Sequence, residues 1–150
     1  MTDQRIVLFR AECRRYSDYL REWRIIQTEL EIIQHKMENV YSPDPRKSAG
    51  SVKSGSSRSL VALIAAKDRT LEKSRSVEKK IEWIMRCFYS IPYPAYRALI
   101  WRVYVQSNKI SDLAEEFGIP TDTLYPLISN IVSGIITDER LKYLMQKQIN

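Results

Sequence analysis

The side chains that most often carry out catalysis or bind metals are sparse in this sequence. His35 is its only histidine, and its two cysteines, Cys13 and Cys87, are far apart in the chain. These residues do not have the spacing of a zinc site, and no glycine-rich loop is present that could cradle a phosphate. No nucleophile and base pair can be identified either. We therefore expect a protein that is not an enzyme and that uses no metal and no other cofactor.

The residues best arranged for recognition lie in the segment ISDLAEEFGIPTDTLYPLISNIV, which starts at Ile110. Ser111 and Thr121 are predicted to cap two successive helices, and Gly118 suits the left-handed turn between them. Ala114 is small enough for the helices to cross closely. Aliphatic residues give the second helix one buried face: Leu124, Leu127, Ile128 and Ile131. This spacing is typical of a helix-turn-helix unit.

The outward positions of the second helix are the candidate base-reading residues of a DNA-binding protein. They are Thr121, Asp122, Thr123, Tyr125, Ser129 and Asn130. None is basic, although arginine and lysine are common readers of base edges in the major groove. Asp122 would repel phosphates, and Pro126 removes a helical hydrogen bond. Tyr125 and Asn130 could still contact bases.

The formal net charge of +6 comes from the middle of the chain. Residues 42–59 carry four basic and one acidic side chain, and residues 60–90 carry seven and four. Residues 1–41 and 91–150 are each balanced. The candidate phosphate-contacting cations are Arg46, Lys47, Lys67, Arg69, Lys73 and Lys79. If DNA is bound, these cations are expected to supply the electrostatic attraction.

A long helix is predicted from about Gln4 to Tyr41, with two apolar seams at heptad spacing. One seam is Phe9, Tyr16, Trp23, Leu30 and Met37, and the other is Tyr19, Ile26, Ile33 and Val40. Glu12 is the one misfit in this pattern. We expect the seam either to pack on a second helix of a bundle or to form a homodimer. The candidate oligomerisation residues are Tyr16, Trp23, Ile26, Leu30, Ile33 and Met37.

The rest of the chain is also predicted to be helical, which makes the fold all-α. Residues 42–59, rich in serine and glycine, should form a flexible loop before a helix from Leu60 to Tyr89. The stretch Ile91-Pro92-Tyr93-Pro94 is expected to end that helix, and Pro94 suits the first turn of the next. Residues 1–90 would thus be a helical hairpin. Residues 91–150 would be the helix-turn-helix domain with a C-terminal helix, Gly134 and Thr137 being further caps. Cys13 and Cys87 lie on apolar stripes and are expected to be buried.

The longest apolar run is Leu60 to Ala66, which is far shorter than the roughly 20 residues that span a bilayer. The first residues, Met-Thr-Asp-Gln-Arg, do not form the pattern of a signal peptide. We therefore expect no membrane partner and a cytoplasmic location.

Two stretches together resemble a known family. They are Tyr96–Tyr104 and the helix-turn-helix segment, with its Leu113-Ala114-Glu115-Glu116-Phe117-Gly118 and Thr123-Leu124-Tyr125. This arrangement is similar to region 4 of bacterial sigma factors, as used in small phage and prophage transcriptional regulators of the ArpU/RinA type. The resemblance implies a regulator that binds double-stranded DNA and could act with RNA polymerase on phage late genes.

Three functions stay open at this point. A dimeric regulator could bind DNA through the helix-turn-helix and the central cations. The helix-turn-helix could instead bind a protein, such as RNA polymerase, a repressor or another phage or host regulatory protein. A small terminase-like DNA-packaging subunit, which also joins such a unit to oligomerising helices, is the third.

Overall fold

A computed structural model describes residues 3–41 and 54–149, and the regular secondary structure of these residues is entirely α-helical. The helices are α1 (Gln4–Arg14), α2 (Tyr16–Tyr41), α3 (Ser54–Tyr89), α4 (Pro94–Tyr104), α5 (Ile110–Phe117), α6 (Thr121–Ile135) and α7 (Asp138–Ile149). The predicted all-α fold is confirmed. Within the described ranges, no helix combines the length and the apolarity needed to span a bilayer.

The first predicted helix is in fact two helices, because the chain turns at Arg15. The Arg15 N–H donates to the Glu12 carbonyl at 3.0 Å, a tight turn that ends α1. The helix α1 packs on α4, α6 and α7, and Phe9 and Cys13 are among its buried residues. Glu12, the misfit of the heptad pattern, is also buried and forms an ion pair with Lys147.

The third helix begins at Ser54, earlier than the predicted Leu60. Extending an existing helix is much easier than nucleating one, so the long helical segment after Leu60 can extend back through the serines and the glycine that precede it. Residues 54–59 therefore belong to α3 and not to the predicted loop. The remainder of that loop, including Arg46 and Lys47, lies outside the described residues.

Three predicted caps are wrong by one or two positions. Lys109 and Pro120 precede α5 and α6, so Ser111 and Thr121 lie inside the first turns. The Pro120 carbonyl accepts the N–H groups of Thr123 and Leu124, each at 3.0 Å, which closes that turn without a side chain. Gly134 lies within α6, which continues because the next two isoleucines are buried.

Other predicted turn residues are confirmed. Gly118 has a left-handed conformation (φ 67°) at the end of α5, and Pro94 begins α4. The Thr137 hydroxyl accepts the N–H of Arg140 at 3.3 Å, as expected of the residue before α7.

The contacts divide the chain into two units, which are unit 1 (Met1–Asp18 and Ile81–Asn150) and unit 2 (Tyr19–Lys80). The sequence predicted a boundary near residue 90 instead. That boundary would separate α1 from α4, α6 and α7, against which it packs. Unit 1 is therefore built from both ends of the sequence.

Aromatic rings fill the core of unit 1. The Phe9 ring centroid lies 5.7 Å from that of Phe88 and 5.8 Å from that of Tyr104. Trp101 meets Phe88 edge to face at 4.9 Å. Burial raises the pKa of Tyr104 to about 12, as expected of a phenol deep in an apolar core.

In unit 2, polar side chains join the parts of α2 and α3 that belong to it. Gln27 donates to the Ser74 hydroxyl at 3.0 Å, and the Trp23 indole donates to Glu78 at 3.1 Å. Lys67 donates to Gln34 at 3.3 Å. In these three pairs, a higher residue number in α2 goes with a lower one in α3, so the two helices are antiparallel.

Candidate nucleic-acid interface

The connection between α5 and α6 is a short turn closed by backbone hydrogen bonds. The Ile119 N–H donates to the Ala114 carbonyl at 3.0 Å, which satisfies a carbonyl at the end of α5. A Cβ at Gly118 would meet nothing within 4 Å, so the left-handed backbone, and not a lack of space, favours glycine there.

The inner faces of α5 and α6 pack on each other as the sequence predicted. Leu113 and Leu124 are fully buried, Ala114 is 8% exposed and Ile128 is 3% exposed. Burying these residues fixes the angle between the helices, so the outward face of α6 is presented on a rigid support.

The predicted base-reading residues occupy this outward face. Thr121 and Ser129 are half-buried, and the other four are exposed: Asp122, Thr123, Tyr125 and Asn130. Tyr125 is the largest of them, with 54% of its surface exposed. Pro126 is exposed within the same helix and does not end it. The exposed side chains are therefore available to a partner.

The electrostatics of this region are unfavourable for DNA. No lysine or arginine lies between Lys109 and Arg140 in the sequence, while Asp112, Glu115 and Asp122 are all exposed. Asp112 and Asp122 lie in first turns, where negative charge stabilises a helix. Part of the acidity thus has a structural explanation.

A fourth acidic residue, Glu116, is neutralised by Arg102. The Arg102 guanidinium donates to both carboxylate oxygens, at 2.9 and 2.8 Å. These hydrogen bonds lower the pKa of Glu116. The pair joins α4 to α5 and leaves Arg102 less able to bind phosphate.

The predicted phosphate-contacting cations of α3 differ in their surroundings. Arg69, Lys73 and Lys79 are exposed and form no ion pair with the described residues. Lys67 is half-buried and bonded to Gln34. The three exposed cations belong to unit 2, whereas α6 belongs to unit 1.

Several of the predicted oligomerisation residues contact other parts of the same chain. In unit 2, Ile26 is 4% exposed and Trp23 is bonded to Glu78. Leu30, Ile33 and Met37 are half-buried on the same helix. In unit 1, Tyr16 meets Trp101 edge to face at 4.9 Å. A role of this seam in joining two copies stays a prediction.

Neither a metal site nor a relative identifies the function. In the described part of the chain, no group of three or more His, Cys, Asp or Glu side chains could hold a metal ion. No family model, curated protein or solved structure matches the chain.

A second surface was missed by the sequence analysis. Tyr89 is exposed at the end of α3 and lines a groove that contains Trp101, and Tyr93 and Tyr96 are exposed around the start of α4. The density of tyrosine and proline in the segment Ile91-Pro92-Tyr93-Pro94 was a signal of this surface. The prolines alone predict only the end of one helix and the start of the next.

Proposed function

We propose that this protein is a DNA-binding transcriptional regulator of the phage or prophage type. In this proposal, α2 and α3 are the helical hairpin, and α5 and α6 are a sigma region 4-like helix-turn-helix. The observation that carries it is the geometry of α5 and α6, which are joined by a short turn through Gly118 and share a buried inner face. A free helix face on a rigid support can enter the major groove.

The cations of α3 support the same proposal. Arg69, Lys73 and Lys79 are exposed and have no carboxylate partner among the described residues, so their charge is available to phosphates. Phosphate contacts supply most of the non-specific affinity for DNA, whereas side chains such as Asn130 supply sequence preference. The two roles would thus fall on different helices.

Selection from a pool of random duplexes tests whether α6 reads sequence. We expect the full chain to enrich one motif and Asn130→Ala to relax the preference at one or two positions, with a loss of about 1–3 kcal/mol on the best site. Lys142→Ala, an exposed change on α7, is the control and should leave the motif unchanged. Enrichment of no motif would contradict the assignment of α6 as a reader.

The second candidate function is protein binding through α5 and α6, and the acidity of this region favours it. Exposed Phe117 and Tyr125 add apolar area, since half or more of each side chain is accessible. The partner would then be RNA polymerase or a phage or host regulatory protein. A titration with purified polymerase should show binding that Tyr125→Ala weakens at least tenfold, and unchanged affinity would exclude this face.

A further inference from the structure

An apolar groove lies between the end of α3 and α4, within unit 1. Its walls include Phe88, Tyr89, Pro94, Arg97, Ala98 and Trp101. The cavity measures about 260 Å³ and opens to solvent. It is smaller than the roughly 300–1,000 Å³ of small-molecule sites, so it suits one or two side chains of a partner better than a cofactor. We call it the Trp101 groove.

The aromatic walls of this groove are held in place by contacts behind them. Trp101 packs edge to face on Phe88 and on Tyr16, with centroid distances of 4.9 Å in both cases. Tyr89 is 64% exposed, and the Arg97 guanidinium lies 5.2 Å above its ring. Rigid aromatic side chains lose little entropy on binding, which is why they often anchor interfaces.

Arg97 adds a positive charge that is fixed and unpaired. Its Nε donates to the Phe88 carbonyl at 3.1 Å, and one terminal nitrogen donates to the Ile91 carbonyl at 2.9 Å. These bonds orient the guanidinium without neutralising it, and the other N–H donors stay available. No carboxylate of the described residues pairs with Arg97.

The sequence around the groove has the same charge. Between Glu82 and Asp112 the sequence has no acidic residue, whereas Arg97 and Lys109 are basic. The other two cations of this interval, Arg86 and Arg102, are paired with Glu82 and Glu116. A carboxylate that approached Arg97 would therefore meet few repelling charges. The groove combines an apolar floor with a preoriented cation, which is complementary to an acidic segment that carries an apolar anchor.

We propose that the Trp101 groove binds an acidic peptide segment of a partner protein. A leucine or aromatic side chain of the segment packs on Trp101 and Tyr89, and an adjacent Asp or Glu pairs with Arg97. None of the groove residues belongs to α5 or α6, so this interaction does not depend on the function proposed for those helices.

The test is a fluorescence anisotropy titration of the full chain with a short labelled peptide in which glutamates alternate with leucine and tryptophan. The same peptide with lysines in place of the glutamates is the charge control. We expect the glutamate peptide to bind at least tenfold more tightly. Equal binding of the two peptides, or no binding of the glutamate peptide, would overturn the proposal.

Two substitutions at one exposed position of the groove separate charge from shape. Ala98→Glu should weaken binding of the glutamate peptide at least tenfold, whereas Ala98→Lys, of similar length, should retain it. Equal losses in both variants would mean that charge is not recognised. Sedimentation of the chain without peptide tests whether a second copy of the chain, and not a peptide, occupies the groove. A dimer that Ala98→Glu dissociates would overturn the proposal in favour of a second copy.

Discussion

At Glu12, a carboxylate lies in the core of unit 1 with 4% of the residue exposed, and Lys147 of α7 supplies the opposite charge. Removing one partner of such a pair takes away the charge that compensates the other buried charge. We expect Lys147→Met to lower the free energy of unfolding by about 3 kcal/mol. Urea denaturation followed by circular dichroism measures this loss.

The double variant Glu12→Leu with Lys147→Met identifies the cause of that loss. Since an apolar pair of similar volume can replace a buried ion pair, we expect it to recover most of the stability. Lys142→Met, an exposed change on the same helix, should stay within about 0.5 kcal/mol of the wild type. If Lys147→Met were equally harmless, the pair would not stabilise unit 1.

Burial also determines the reactivity of Cys13 and Cys87, which are both fully inaccessible in unit 1. Burial raises the pKa of Cys87 to about 11 and raises the pKa of Cys13 as well. Because the thiolate is the nucleophile, we expect both cysteines of the native chain to react slowly with iodoacetamide near pH 8. Guanidinium should make both reactive within minutes, and rapid labelling of the native chain would contradict their burial.

Among the elements, several with local signals could be predicted from the sequence, although the caps at Ser111, Thr121 and Gly134 were misplaced by one or two residues. Gly118, Pro94 and Thr137 act within a few residues of their own position, so their types suffice to place the turns. The stripe of Leu124 and Ile128 is equally local. The turn at Arg15 could not be predicted, because Phe9 continues the heptad seam and the helices on which α1 packs are distant in the sequence.

The same distinction between local signals and distant contacts explains which parts of the candidate sites could be predicted from the sequence. The exposed face of α6 follows from helical periodicity alone. The Trp101 groove depends on contacts between Phe88 and Arg97, which lie on different helices. No pattern in either helix indicates that Arg97 is bonded to carbonyls and lacks a carboxylate partner.

Two glycines test the backbone requirements of the segment that contains α5 and α6. Gly118→Ala places a side chain in a left-handed conformation and should destabilise the chain by about 1 kcal/mol. Gly134→Ala lies within α6, where an added Cβ meets nothing within 4 Å, and should stabilise it by about 0.5–1 kcal/mol. Urea midpoints measure both effects, and shifts of the same sign would contradict the turn at Gly118.

At the scale of the whole molecule, the oligomeric state separates the functions that involve DNA. The chain has a mass of 17.6 kDa, and a regulator of the proposed type is expected to be a homodimer of twice this mass. Light scattering over a range of concentrations measures it. A monomer at all concentrations would contradict the dimer, and a ring of many copies would favour the terminase-like alternative.

The proposed regulator has an uneven charge distribution, since the exposed cations of α3 must attract DNA while α5 and α6 are acidic. Arg69, Lys73 and Lys79 are therefore expected to set the dependence of affinity on salt. Their joint replacement by glutamine removes three charges. A matched control removes three exposed cations elsewhere: Arg24, Lys36 and Lys142.

The most direct measurement is the affinity for a random DNA duplex as a function of salt concentration, by fluorescence anisotropy, for the wild type and these two variants. We expect the wild type to bind at low salt and to lose affinity steeply as salt rises. The α3 variant should reduce the slope of log affinity against log salt by roughly 2.7, and the control by much less. No binding of the wild type even at low salt would contradict the proposed DNA-binding function, and equal losses in both variants would contradict the role of the α3 cations in it.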